Sequence, residues 1–71
     1  MNKKYWMSYF FQEDITCGVR RQAIVNQHPL LIENSWPGQK PLFLSDFKEI
    51  SDDVFDRLYD FPKFRLPNPY I

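Results

Sequence analysis

Carboxylates are the most concentrated chemical groups in this sequence. Six of its nine acidic residues lie between positions 46 and 60. Five of them follow one another at intervals of 3, 4, 3 and 4 residues: Asp46, Glu49, Asp53, Asp56 and Asp60. On one continuous helix they would form an acidic stripe. Such a stripe could engage a basic protein surface and loosely imitates a row of phosphates. The alternative is the solvated outer face of an ordinary amphipathic helix.

Basic and aromatic residues in the first third of the chain suggest a second kind of binding site. The cations are Lys3, Lys4, Arg20 and Arg21, and the neighbouring aromatic residues are Tyr5, Trp6 and Tyr9. Exposed rings beside cations can stack the bases of a single-stranded nucleic acid. The alternative is that the rings are core and the arginines pair with the acidic helix. Nine basic and nine acidic residues give zero net charge, which argues against a dedicated nucleic-acid binder.

Catalytic and metal-binding patterns do not emerge from the sequence. His28 is the only histidine and Cys17 the only cysteine, and neither has a partner at a recognisable spacing. The adjacent carboxylates Asp52 and Asp53 point in different directions in any regular element, and no histidine or cysteine joins them at metal-ligand spacing. We therefore predict a chain that is not an enzyme, with no metal and no cofactor.

Two aromatic residues stand outside the predicted helices and strands. Trp36 lies in the loop Asn34 to Pro41, and Tyr70 lies in the proline-rich tail 62–71. An aromatic side chain held by proline is a low-entropy anchor of the kind found at binding hot spots. The alternative is that both rings cover a thin core.

The elements that would position these groups form an α+β fold. Lys4 to Phe11 alternates as a strand. Gln12 to Gly18 is a polar turn in which Gly18 can adopt a positive φ. Val19 to Asn26 is a second strand, and His28-Pro29 ends it. The two strands are expected to pair as an antiparallel hairpin, with Leu42 to Leu44 as a short third strand.

Apolar spacing in the last third predicts a helix with two competing starts. The stripe consists of Phe47, Ile50, Val54, Leu58 and Phe61. Ser45 could cap a helix running from Asp46 to Asp60, and Ser51 could cap a shorter one. We favour the continuous or slightly kinked helix, with a helical turn over 46–50 as the second choice. Pro62 ends the helix in either case, and residues 63–66 could add an edge strand.

Composition limits the chain to one small domain, 1–71. Its 71 residues are 44% hydrophobic and 18% aromatic, which excludes intrinsic disorder. One cysteine and no long apolar run predict a cytoplasmic protein away from the membrane. The zero net charge is a cancellation: residues 46–60 carry −4, and the segments on either side carry +2 each.

The opening Lys4-Tyr5-Trp6-Met7-Ser8-Tyr9-Phe10-Phe11, followed by a polar turn and Cys17-Gly18, resembles small uncharacterised proteins of phages and prophages. The resemblance covers about the first 25 residues and transfers no functional residue. It implies an inhibitor of a host defence complex, as the anti-CRISPR proteins are.

Together these features predict a non-enzymatic protein-binding domain. Its acidic helix face would engage a basic partner surface, such as that of a host nucleoprotein complex, with Trp36 or Tyr70 as the apolar anchor. Two alternatives stay open: a nucleic-acid binder that uses the cations named above, and a homo-oligomer that pairs through an exposed edge of the aromatic strand.

Overall fold

A computed structural model describes residues 3–67, which form a small α+β fold as the sequence predicts. The strands are β1 (Lys4–Phe11), β2 (Arg21–Val25) and β3 (Leu42–Ile50). The helices are α1 (Gln12–Cys17), α2 (Pro29–Ser35) and α3 (Asp52–Tyr59), and a single 3₁₀ turn follows at Pro62–Phe64. Tyr70 lies outside the described residues.

The sheet is antiparallel, with strand order β2-β1-β3. The predicted pairing of the first two strands is confirmed: Tyr5 lies opposite Val25, and Met7 opposite Ala23. Because β1 is paired on both sides, it has no edge to offer to a second copy. The edge expected on the aromatic strand is therefore not available, and the edges of this sheet belong to β2 and β3. A homo-oligomer through an exposed strand edge stays a prediction.

One face of β1, here called the core face, carries most of the hydrophobic core. Met7 is fully buried, and Tyr9 and Phe11 lie beside it with Ala23, Val25 and Leu42 from the flanking strands. Ile32 of α2 covers this face, and Trp36 and Leu66 pack at its margin. Tyr5 also lies on the core face, and the other residues of β1, Lys4, Trp6, Ser8 and Phe10, point to the opposite face.

The segment predicted to begin the helix is the longest strand of the sheet. Residues 42–50 form β3, so both the helix from Asp46 and the helical turn over 46–50 are wrong. Ser8 lies opposite Asp46 and Tyr9 opposite Leu44, which leaves Ser45 as the extra residue of a β-bulge. The main-chain N–H of Leu44 beside the bulge donates to Glu33 Oε2 at 2.7 Å, which ties α2 to β3.

The shorter of the two predicted helix starts is confirmed. Ser51 caps α3, because its Oγ accepts a hydrogen bond from the Val54 N–H at 3.2 Å. Asp52 and Asp53 occupy the first turn, where negative charge suits the helix dipole. The helix ends before Pro62 as predicted, but the edge strand expected at 63–66 is wrong, since the chain forms a 3₁₀ turn there.

The polar segment after β1 is a helix rather than a simple turn. The Asp14 carboxylate accepts the Phe11 N–H at 2.9 Å, which secures the first turn of α1. Gly18 ends the helix with φ 67°, the left-handed conformation predicted for it. α1 therefore reverses the chain and allows β2 to return antiparallel to β1.

Candidate functional site

The five carboxylates spaced for one helix do not form a stripe. Asp46 and Glu49 lie on β3 and not on the helix. Asp46 is opposite Ser8 and Glu49 opposite Tyr5, so their side chains leave opposite faces of the sheet. What remains of the predicted stripe is Asp53, Asp56 and Asp60, in α3 and at its C-cap.

Four ion pairs join basic and acidic side chains in the described part of the chain. Lys3 approaches Glu49 at 3.7 Å, and Lys4 approaches Asp52 at 3.5 Å. The other two pairs are Lys40 with Glu13 and Arg21 with Asp14. Three of the four cations proposed for nucleic-acid binding, Lys3, Lys4 and Arg21, are therefore already paired within the chain.

The pair between Arg21 and Asp14 is a structural connection between β2 and α1. Arg21 donates from Nε to Asp14 Oδ2 at 2.8 Å and from Nη2 to Oδ1 at 3.0 Å. The Arg21 hydrogen bonds and the Phe11 N–H lower the pKa of Asp14 from 3.8 to about 2. Because the Asp14 carboxylate is buried, we assign Arg21 to the fold and not to a ligand.

The aromatic residues proposed as a stacking platform separate between the two faces of the sheet. Tyr9 is buried on the core face, where burial raises the pKa of its hydroxyl. Tyr5 packs on the same face, against His28 and Phe47. Trp6 lies on the opposite face and is half-buried. Its Nε1 donates to Gln22 Oε1 at 3.1 Å.

The outer surface of α3 combines exposed carboxylates with exposed apolar side chains. Asp53, Asp56 and Asp60 are exposed, and none of them has an ion-pair partner among residues 3–67. Tyr59 is 53% exposed and Phe61 is 50% exposed. We call these five residues the α3 surface. Tyr59 lies in the last turn of α3 and Phe61 follows the C-cap Asp60, so both rings are exposed close to the carboxylates.

An apolar groove of about 460 Å³ adjoins the α3 surface. Phe55 and Tyr59 of α3 form one wall, and Ile32 and Trp36 contribute from the core side of β2. The Trp36 ring also packs near Phe11, with ring centroids 6.2 Å apart. Trp36 thus covers the core and also lines the groove, and its role as a binding anchor stays a prediction.

A second cleft, of about 290 Å³, lies beside the start of β2 and was not predicted from the sequence. Arg20, Lys63 and Arg65 line it together with Tyr9 and Gln22. These three cations are exposed and form no ion pair within the described residues. Arg21 lines the cleft as well, paired with Asp14, so Arg20 and Arg21 are the predicted site residues found here. The alternation of basic and aromatic residues in Lys63-Phe64-Arg65 is visible in the sequence. Its position beside Arg20 is not, because it depends on the chain reversal after α3.

Single polar residues that could serve catalysis have structural roles or stand alone. His28 caps α2, with Nδ1 accepting the Leu30 N–H at 3.2 Å. Cys17 is exposed at the end of α1. Across residues 3–67 there is no group of three or more histidine, cysteine or acidic side chains that could hold a metal ion.

Comparison with known proteins identifies no matching family model, no similar curated protein and no similar solved structure. The resemblance to phage proteins therefore stays a prediction. Within the part of the chain that the structure describes, no helix is long and apolar enough to cross a membrane.

Proposed function

We propose that this chain is a small, non-enzymatic protein-binding domain that uses the α3 surface to engage a basic partner surface. The observation that supports the proposal is the combination of Asp53, Asp56 and Asp60 with the exposed rings of Tyr59 and Phe61 on one short segment. Apolar anchors with charged residues around them are the usual arrangement of a protein interface.

The two parts of this surface contribute differently to binding. Unpaired carboxylates attract a basic partner and raise the association rate, an effect that salt screens. The exposed rings, with Trp36 in the adjoining groove, supply apolar area that is buried on contact and slows dissociation. Neutralising the carboxylates therefore weakens binding mainly at low salt, whereas truncating Tyr59 weakens it at every salt concentration.

The finer proposal is a phage or mobile-element inhibitor that occupies the nucleic-acid site of a host defence complex in the cytoplasm. It rests on the opening sequence pattern and on the acidic surface. With Asp46 and Glu49 on the sheet, the carboxylates extend over little more than two turns of helix. The surface can therefore replace only a short stretch of phosphates, and apolar contacts must carry the rest of the affinity.

The test uses charge-matched variants of the full chain. The tagged chain recovers a partner from an extract of the source cells, and the purified partner is titrated against each variant by calorimetry. We expect Asp53→Asn/Asp56→Asn/Asp60→Asn to weaken binding about tenfold at low salt, with a smaller difference at high salt.

The control variant is Glu13→Gln/Asp46→Asn/Glu49→Gln, which changes the net charge equally at sites outside α3. It is expected to bind like the natural chain. Equal affinity and equal salt dependence for the α3 triple variant and the natural chain would overturn the proposal. Equal weakening by both triple variants would assign the effect to net charge and would also overturn it.

A further inference from the structure

Cations and aromatic rings lie close together at several places in this small chain. Six basic side chains lie over aromatic rings between residues 3 and 67, at 4.7 to 5.6 Å from the ring centroids. Two of the six involve cations that also form ion pairs, Lys4 and Arg21. The other four cations, which have no acidic partner among these residues, are Arg20, Lys48, Lys63 and Arg65.

Three of these four cations meet at the cleft beside β2. Arg20 lies 4.7 Å from the Phe10 ring centroid, Lys63 lies 5.2 Å from that of Phe64, and Arg65 lies 4.9 Å from that of Tyr59. All three side chains line the same cleft. We call Arg20, Lys63 and Arg65 the basic cleft. Its charge has no counter-charge in the described chain, so an anionic ligand would supply one.

Arg20 connects the basic cleft to aromatic rings on the face of the sheet opposite the core, because it lies over Phe10. Phe10 stacks on Phe43 of β3, with ring centroids 5.4 Å apart and planes inclined by 23°. Trp6 lies four residues before Phe10 on the same face of β1, and Lys48 Nζ lies 5.6 Å from the Trp6 ring centroid. Arg20 of the basic cleft therefore leads to a row of half-buried rings, each accompanied by a cation or by another ring.

We propose that the basic cleft and the adjoining rings bind single-stranded nucleic acid, at a site that borders the α3 surface where Arg65 lies over Tyr59. The cations contact successive phosphates, and bases stack against the outer side of Phe43 and against Trp6. A sheet face that carries aromatic rings beside a basic groove provides both contacts that such binding needs. A duplex is disfavoured, because its bases are not free to stack on the rings.

An acidic polypeptide is the competing ligand, since carboxylates would also satisfy the three cations. The rings favour nucleic acid, because every base offers a face for stacking and an acidic side chain does not. The two ligands differ in their dependence on Phe43, which carries no charge and is not part of the basic cleft.

The first test is fluorescence anisotropy with a labelled 12-nucleotide single-stranded RNA of mixed sequence and its DNA counterpart. Three phosphate contacts predict an affinity loss of about twentyfold between 50 and 200 mM salt. The variant Arg20→Gln/Lys63→Gln/Arg65→Gln should lose most of the binding at 50 mM salt. The control Lys3→Gln/Lys4→Gln/Lys40→Gln removes the same charge from ion-paired cations elsewhere and should bind like the natural chain.

Folding and stacking are tested with two further variants. Arg65 also donates to the Tyr59 carbonyl at 3.0 Å, so the double variant Arg20→Gln/Lys63→Gln, which leaves that hydrogen bond intact, should still weaken binding about tenfold. Phe43→Leu keeps an apolar side chain and should weaken binding about tenfold through lost stacking. Circular dichroism and thermal unfolding confirm that each variant is folded.

Several results would overturn the proposal. One is that the natural chain binds neither oligonucleotide at 50 mM salt. Another is that the control triple variant loses as much affinity as the basic-cleft variant. A poly-glutamate peptide that binds as tightly as the RNA, together with unchanged RNA binding by Phe43→Leu, would assign the cleft to acidic polypeptides instead.

Discussion

The start of α3 predicts how two serine substitutions should change stability. Ser51 Oγ accepts the Val54 N–H at 3.2 Å, and Ser51→Ala removes that acceptor. The loss of a serine N-cap costs about 1 kcal/mol. In a domain of this size that corresponds to a melting temperature lower by about 4–8 °C.

Ser45→Ala is the matched control. Ser45 is exposed at the bulge of β3 and has no opposite residue on β1. Its truncation should change the free energy of unfolding by less than about 0.5 kcal/mol. Urea unfolding followed by tryptophan fluorescence measures both variants, and an unchanged slope with denaturant shows that the midpoint shift reports stability.

A continuous helix from Asp46 would reverse both results. Ser45 would then be the N-cap, so Ser45→Ala would cost about 1 kcal/mol. Ser51 would lie inside the helix, where alanine is the better helix former, and Ser51→Ala would stabilise the chain by a few tenths of a kcal/mol. A destabilised Ser45→Ala together with a neutral or stabilised Ser51→Ala would refute β3 and the position of α3.

Three further predictions concern the fold. The pKa of Asp14 is lowered from 3.8 to about 2, so its carboxylate stabilises the chain above pH 4 and this contribution is lost as the pH falls to about 2. In Asp14→Asn the midpoint of urea unfolding should therefore change less with pH between 4 and 2 than in the natural chain. The same pH dependence in both chains would contradict this prediction. Met7→Ala should cost about 2–5 kcal/mol in urea unfolding, because Met7 is fully buried in the core; a cost below 1 kcal/mol would mean that the core lies elsewhere. Gly18→Ala should cost about 1 kcal/mol by the same assay, from backbone strain alone, since φ is 67° and an added Cβ meets no atom within 4 Å; a neutral effect would exclude the left-handed conformation.

Local sequence rules predict β1 and the conformation of Gly18 in the first half of the fold, but they predict neither α1 nor α2. Alternation in β1 places Met7, Tyr9 and Phe11 on one face, and each is buried there. Gly18 adopts the positive φ that glycine allows. The second strand ends at Val25, before His28-Pro29, and that pair then starts α2 with proline in its first turn.

The β-bulge explains why β3 has the spacing of a helix. Alternation places Leu42 and Leu44 on the core face, and the extra residue Ser45 shifts the next core residue to Phe47. The resulting interval of three residues, repeated from Phe47 to Ile50, is also the spacing of a helix. In the structure Phe47 and Ile50 lie on opposite faces of the sheet, so only the strand pairing distinguishes the two patterns.

The candidate sites were only partly predictable, because pairing between distant residues decides which charges stay available. Lys3 and Lys4 lie beside β3 and α3, where they pair with Glu49 and Asp52. Arg20, by contrast, lies near Lys63 and Arg65 because the 3₁₀ turn at Pro62–Phe64 packs beside β2. Formal charge along the sequence indicates neither outcome.

Hydrogen–deuterium exchange of the full chain, alone and bound to its recovered partner, tests the proposed binding surface most directly. The proposal predicts slower exchange on binding across α3 (Asp52–Tyr59), with smaller protection near Trp36 at the groove. Protection confined to α1 and the outer side of α2, with α3 exchanging as fast as in the free chain, would contradict it.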